Sequence, residues 1–541
     1  MKNKSLALLF LLFVSAGLQA QTEDFNAFRS RMLKDYQDFR KGIMERYVEF
    51  LDAAWAEYEA MSGRRRVTTP KPTVAPVYTP PAEPEKPVQV IPEEPKPTVP
   101  DAPKEPETPK IPVTPKEPDA PKVPDTPKVP DTPKVPTTPK VPDIPQVPSV
   151  PAVPSVPTTP KVPDTPKVPT VPTVPTVPSP TTPQIHFTLY GLQLAVPAPR
   201  LDATLNSAEQ KEVVSFWKQI YESDTKACVE TLKQHAENYR LGDWCTFKAV
   251  EAYSDKWAKG SRASSRVMTQ YLMLCMGYDV RLAIAGDEVY LMLPFDQKVY
   301  DNTYLTVNEA PYYLYPKKLP EGSRIYSCAV PANEECGQRM DLIVNPAYRL
   351  PRSNQAFSLS HGGLSAQGNV NKNVIALMQE YPAMDIYCYA ASVTDSEVRR
   401  SVVNQLKEQV KDMDEAQAAN ALLRFVQSAF EYQTDRQQFG DGVEKSFFFD
   451  ETLYFPYCDC EDRSIFYAYL VHEILGLDVL LVGYPGHECT AVALSVAPPT
   501  YTSFTYKGKK YYICDPTYIG ADIGMCMPNY KNVRPEVEEW Y

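Results

Sequence analysis

Three side chains, spaced along the last third of the sequence, could together perform covalent chemistry. Cys460 opens the apolar stretch Ile465 to Leu475, His487 follows 27 residues later, and Asp515 a further 28. A thiolate is the nucleophilic form of cysteine, an imidazole can take its proton, and a carboxylate can fix the imidazole's tautomer and direction. A cysteine at a helix start also gains from unpaired N–H groups and the positive end of the dipole. Glu461 and Asp462 oppose that gain, so the thiol needs a base. Cys458, Cys489, Cys514 and Cys526 read as core thiols or disulfide partners. With His487 they could also form a zinc site, although Cys458-Asp459-Cys460 lacks the usual two-to-four-residue knuckle spacing. The triad itself calls for no cofactor and no metal.

The elements that must carry these groups are legible nearby. Ile465, Phe466, Ala468, Leu470, Val471, Ile474 and Leu475 predict a helix apolar on most sides, hence buried, and stopped by Gly476. Gly486 to Leu494 reads as a strand opening with His487, and Tyr511 to Cys514 as a second strand ending at Asp515, where Pro516 favours extended backbone. Lys507-Gly508-Lys509 is a turn signal, so a hairpin could bring His487 and Asp515 together. Further helices are expected over Ser207–Asn238, Asp243–Trp257, Ser396–Met413 and Glu415–Tyr432.

On these residues the sequence resembles the transglutaminase-like superfamily of cysteine enzymes, whose fold is papain-like. Cys460 with Asp462, then His487, then Asp515-Pro516-Thr517 match that family's motifs in order, and the helix ending Phe430-Glu431-Tyr432 resembles the one ahead of its nucleophile. The similarity covers about 170 residues; where the family often has Trp two positions after His, this chain has Cys489. The resemblance implies Cys460 as nucleophile, His487 as general base, Asp515 as orienting carboxylate, and an acyl-enzyme formed from an amide of a protein or peptide substrate. Hydrolysis needs only water, so a peptidase or amidase is favoured over a protein-crosslinking acyl transferase. A non-catalytic envelope or surface binding protein is the alternative from another class.

The sequence also repeats. Gly277-Tyr278-Asp279-Val280-Arg281-Leu282 answers Gly476-Leu477-Asp478-Val479-Leu480-Leu481, and Tyr312-Tyr313-Leu314 answers Tyr511-Tyr512-Ile513, both at an offset of 199. Carried back by that offset, Cys460 falls on Ser261, His487 on Glu288 and Asp515 on Pro316, so the first copy would be degenerate. The expected fold class is α+β, with two papain-like, transglutaminase-like domains at residues 185–350 and 370–541.

The remainder reads as delivery and spacing. Residues 1–20 have the charged start, apolar run and small-residue end of a signal peptide, so export to a periplasm or beyond is expected. Residues 21–69 predict an amphipathic helix that could self-associate or pack back. Of the 56 prolines, 39 lie between Pro70 and Pro183, with proline at every third position from Pro100 through Pro178. That period matches polyproline II, so residues 70–184 read as a stiff stalk open to envelope or cell-wall contact. A net charge of −11 gives no electrostatic reason to expect nucleic acid. The odd total of eleven cysteines leaves one thiol outside any set of intrachain disulfides.

Overall fold

The computed structural model describes residues 56–58, 61–62, 74–78, 183–317, 319, 322–327, 337–498 and 502–539. The chain divides into two units, residues 1–81 with 180–541 and residues 82–179. The expected leader, most of the 21–69 helix and the proline run at 79–182 lie outside the described residues.

The first unit is mixed helix and sheet. Short strands β1 (Ala56–Tyr58) and β2 (Met61–Ser62) precede a hairpin of β3 (Gln184–Leu189) and β4 (Leu192–Pro197), turned by Tyr190 and Gly191, both at positive φ. Helices α1 (Gln210–Glu222), α2 (Lys226–Tyr239), α3 (Gly242–Trp257) and α4 (Arg262–Met276) follow, then strands β5 (Arg281–Ala285), β6 (Glu288–Leu293), β7 (Thr303–Val307), β8 (Ala310–Tyr315) and β9 (Ile325–Ser327).

A second round begins with the hairpin of β10 (Asn354–His361) and β11 (Leu364–Asn371) and continues through α5 (Lys372–Met378), α6 (Ile386–Ala391), α7 (Ser396–Val410) and α8 (Glu415–Ala429). Then come β12 (Glu431–Tyr432), α9 (Asp435–Phe439), α10 (Phe449–Tyr454), β13 (Tyr457–Cys458) and α11 (Cys460–Leu475). The chain closes with β14 (Val479–Tyr484), β15 (His487–Val492), β16 (Ser503–Tyr506), β17 (Lys509–Cys514), a 3-10 turn at Pro528–Tyr530 and β18 (Glu536–Glu538).

The repeat extends to topology and register. One sheet contains the order β9-β5-β6-β8-β7, and the other has β18-β14-β15-β17-β16, antiparallel throughout. Leu282 pairs with Leu291 and Leu481 with Thr490; Met292 with Leu314 and Ala491 with Ile513; Thr306 with Pro311 and Thr505 with Lys510. Each pair maps onto its counterpart by the same 199 residues. A one-residue slip would send every side chain to the opposite face, so the shared register is a shared packing pattern. Indeed the outward apolar clusters correspond: Ala283, Tyr290, Met292, Tyr312 and Leu314 on one sheet, Val482, Cys489, Ala491, Tyr511 and Ile513 on the other. The opposite faces join the helices in one continuous core running from Phe187 to Ile523, which spans both rounds.

Several expectations change. The β10–β11 hairpin, Asn354 to Asn371, fills the stretch between the two expected domains. The helix expected over Ser207–Asn238 is two, because at Ser223 the backbone turns extended and the Ser223 hydroxyl donates to the Ile220 carbonyl. The helix expected over 21–69 does not include Ala56–Tyr58 or Met61–Ser62: these pair with β9 and β7 at the two edges of the first sheet. An open sheet edge offers unpaired backbone groups, and pairing there outweighs helical periodicity. Among the described residues, no helix is long and apolar enough to cross a membrane.

Candidate active site

Helix α11 begins at Cys460, which is fully buried, as are the next eleven residues of the helix. Asp462, at the third helical position, turns back: its carboxylate accepts from the Asp459 N–H at 3.1 Å and from the Phe447 N–H at 2.8 Å, tying two otherwise orphaned donors. Arg463 is buried too and donates to the carbonyls of Gln427 (3.0 Å) and Phe430 (2.8 Å) and to Cys458 Sγ (3.4 Å). The helix start is therefore fixed to α8 and β13.

The second sheet presents the other two groups at the end where α11 begins. His487 is the first residue of β15, and Asp515 follows the last residue of β17, its neighbour in the sheet. His487 Nε2 lies 2.8 Å from Asp515 Oδ2, both side chains being almost wholly buried. The other carboxylate oxygen, Oδ1, accepts from the Thr517 N–H (2.9 Å) and the Tyr518 N–H (3.1 Å), which fixes the carboxylate plane. Gln427 of α8 holds the loop from beneath, donating to the Asp515 and Ala521 carbonyls and accepting from the Gly520 N–H. Imidazole Nδ1 is buried without a hydrogen-bond partner.

Ser464, one turn along α11, links the helix start to the strand that opens with His487. The Ser464 hydroxyl lies 2.7 Å from the Cys460 carbonyl and 3.2 Å from the Glu488 carbonyl, so its proton bridges the helix start to the strand residue beside His487. The thiol itself donates to Glu461 Oε2 at 3.1 Å.

Electrostatics follow from burial in a carboxylate-rich surround. Burial alone would lower the His487 pKa, but the charge and hydrogen bond of Asp515, with Glu488 and Glu461 beyond, raise it above its ordinary value. Burial lifts the Asp462 carboxyl well above the usual range, and Asp435 and Glu461 add to the rise. Burial also pushes up the neighbouring thiols, Cys458 and Cys526 to about 11 and Cys514 to about 12. Cys489 rises well above an ordinary thiol for the same reason. These four stay protonated and inert near neutrality. None of the nine cysteines among the described residues is in a disulfide; Cys328 and Cys336 lie outside them.

The zinc alternative fits poorly. His487, Cys489 and Asp515 offer ligand atoms within 4.8 Å of one another. Two ligands on a tetrahedral zinc with bonds of about 2.0–2.1 Å stand roughly 3.3 Å apart. The 2.8 Å between Nε2 and Oδ2 is instead a hydrogen-bond distance. Cys458 contacts Arg463, and Cys514 Sγ lies 3.4 Å from the Tyr512 carbonyl, so neither points to a shared ion.

At the matching positions of the first round the groups do other work. Ser261 caps α4, its Oγ accepting from the Ser264 N–H at 3.2 Å. Glu288 is exposed and paired with Arg266 at 3.1 Å. Pro316 has no side-chain acceptor. Four residues important in the second-round site were not picked out from sequence: Glu461 as the thiol's acceptor, Ser464, Gln427 and Tyr530, whose ring stacks on His487. Of these, Gln427 carried a signal, being a polar residue on the otherwise apolar face of α8. Comparison with protein-family models, curated proteins and solved structures finds no match for this chain.

Proposed function

We propose that the chain is an exported thiol hydrolase of the transglutaminase-like class, a peptidase or amidase acting on a protein or peptide through Cys460, His487 and Asp515. The observation that carries this reading is the asymmetry of His487. Its Nε2 is committed to Asp515, while Nδ1 is buried and unpartnered at the end of the sheet where Cys460 begins its helix. An imidazole so held has one nitrogen left to accept a proton.

In the proposed reaction the thiol proton passes to Nδ1 and the sulfur attacks the amide carbonyl carbon. The C–N bond breaks as the imidazolium returns the proton to the leaving amine. Water, deprotonated by the same imidazole, then cleaves the thioester. The Cys460 N–H, in the first turn of α11, is a donor for the oxyanion. Glu461 must surrender its hydrogen bond from the thiol for the first step to proceed. A thiol-directed electrophile tests the reading: it should label Cys460 under reducing conditions and fail to label Cys460→Ala or His487→Ala. An unlabelled wild type would favour the binding-protein alternative instead. Added primary amines that divert the acyl group from water would move the assignment to a crosslinking transferase.

A further inference from the structure

The 3-10 turn ahead of β18 carries an aromatic residue that the triad does not account for. Tyr530, in the 3-10 turn at Pro528–Tyr530, stacks on the His487 imidazole, with ring centroids 5.4 Å apart and ring planes 8° from parallel. It also stacks on Tyr484, at 4.8 Å and 19°. Tyr484 and His487 are paired directly across the β14–β15 hairpin, so one ring covers both sides of that hairpin's end. The Tyr530 hydroxyl donates to the Pro485 carbonyl at 3.3 Å, within the intervening turn. Burial raises the Tyr530 phenol, and the next contributions come from Cys460 and Asp515, so the ring that stacks on His487 also lies near those two groups. A stack of this kind adds about 0.5–1.5 kcal/mol beyond the area it buries, and here it is made on an imidazole whose Nε2 is already fixed to Asp515.

We propose that Tyr530 is a positioning residue for the thiol site: its ring holds the imidazole plane so that Nε2 stays on Asp515 and Nδ1 stays turned to accept the Cys460 proton, and it keeps water off the His487–Asp515 bond. This rests on the thiol-hydrolase reading. The side chains that set the charge around His487 are Asp515 beyond β17, Glu488 on β15 and Glu461 on α11. None is on the turn bearing Tyr530, so removing the ring changes orientation and solvation and leaves those charges in place.

The test follows the rate of Cys460 alkylation by iodoacetamide from pH 4 to 9, read by mass spectrometry on the full chain. Wild type should keep its reactivity well below the range of an ordinary thiol. In Tyr530→Ala the acid limb should move up by about one pH unit, a roughly tenfold loss at low pH. Tyr530→Phe, which keeps the ring, should restore the wild-type limb. In an Asp515→Asn background Tyr530→Ala should add no further loss. Should the Ala variant not fold, Tyr530→Leu fills the volume without an aromatic face and should show the same shift. An unchanged limb in Tyr530→Ala or Tyr530→Leu, or an undiminished loss in the Asp515→Asn background, overturns the proposal. Wild-type Cys460 reacting no faster than buried Cys514 would instead overturn the hydrolase reading, and the role of Tyr530 with it.

Discussion

His487 Nε2 lies 2.8 Å from Asp515 Oδ2, and that one bond couples the chemistry of the site to the acidity of the medium. Because the folded imidazole has a raised pKa, the folded state binds a proton more tightly than the unfolded chain. The stabilisation is complete below about pH 6.5, the unfolded value, and is lost as pH climbs through the folded pKa. Asp515→Asn keeps an acceptor for the Thr517 and Tyr518 N–H groups but removes the charge. We expect the stability–pH slope above pH 6.5 to flatten in this variant, and hydrolysis of p-nitrophenyl acetate to fall by about 10²- to 10⁴-fold. Full hydrolytic activity in Asp515→Asn would take the carboxylate out of the mechanism.

Glu461 presents the opposite case, a side chain whose charge opposes thiolate formation at Cys460. A negative charge 3.1 Å from Sγ disfavours thiolate, against the helix dipole that favours it. Glu461→Gln retains a hydrogen-bond acceptor without the charge. It should raise Cys460 alkylation at pH 6 by about three- to tenfold. A decrease would mean that Glu461 helps to remove the proton, and the roles assigned to Glu461 and His487 would need exchanging.

Helix α11, its glycine stop and the strand-opening His487 were legible in the sequence because each rests on a local signal: apolar positions on every side, a residue able to adopt positive φ at Gly476, and the alternation of β15. The repeat was legible from one six-residue and one three-residue match, since strand register preserves spacing and both sheets keep theirs. What could not be read is set by tertiary contact. The strands at 56–58 and 61–62 exist because β9 and β7 offer open edges, with paired residues 241 to 271 positions apart. The turn of Asp462 onto Phe447 and the stack of Tyr530 on His487 likewise depend on loops whose paths no local pattern fixes.

Gln427 illustrates how a single buried amide can hold a loop. It donates to the Asp515 carbonyl at 3.1 Å and the Ala521 carbonyl at 2.9 Å, and accepts from the Gly520 N–H at 3.1 Å. Gln427→Ala takes the side-chain partner from the Ala521 carbonyl and the Gly520 N–H, while the Asp515 carbonyl keeps its bond from the Tyr518 N–H at 3.3 Å. Loss of stability by about 2–4 kcal/mol is expected, read by urea denaturation. Gln427→Glu should recover the acceptor contact but place a carboxylate against two carbonyls, and so should not restore stability. A Gln427→Ala protein as stable as wild type would show that water can replace the amide there.

Asp450 provides a test of the fold that is independent of the active site. Its carboxyl is buried on α10, accepts from the Thr394 hydroxyl, and has one oxygen, Oδ1, with no hydrogen-bond partner. Burial pushes its pKa up to about 7, Asp395 adds to the rise, and the Thr394 bond and Arg399 offset part of it. A carboxyl with a raised folded pKa is favoured by folding in its protonated form, so stability declines as pH rises from about 4 to about 7. Over that window the ionised group costs on the order of 3–4 kcal/mol, at 1.36 kcal/mol per unit. Asn mimics the protonated carboxyl, so Asp450→Asn should match wild type in thermal unfolding at about pH 3.5, below the unfolded carboxyl value, and exceed it at pH 8. Arg399 is buried beside it, with its guanidinium 3.7 Å from the Tyr469 ring centroid and two nitrogens unpaired. If the two instead form a stable ion pair, Asp450→Asn will be destabilised at pH 8, and the burial argument for this carboxyl fails.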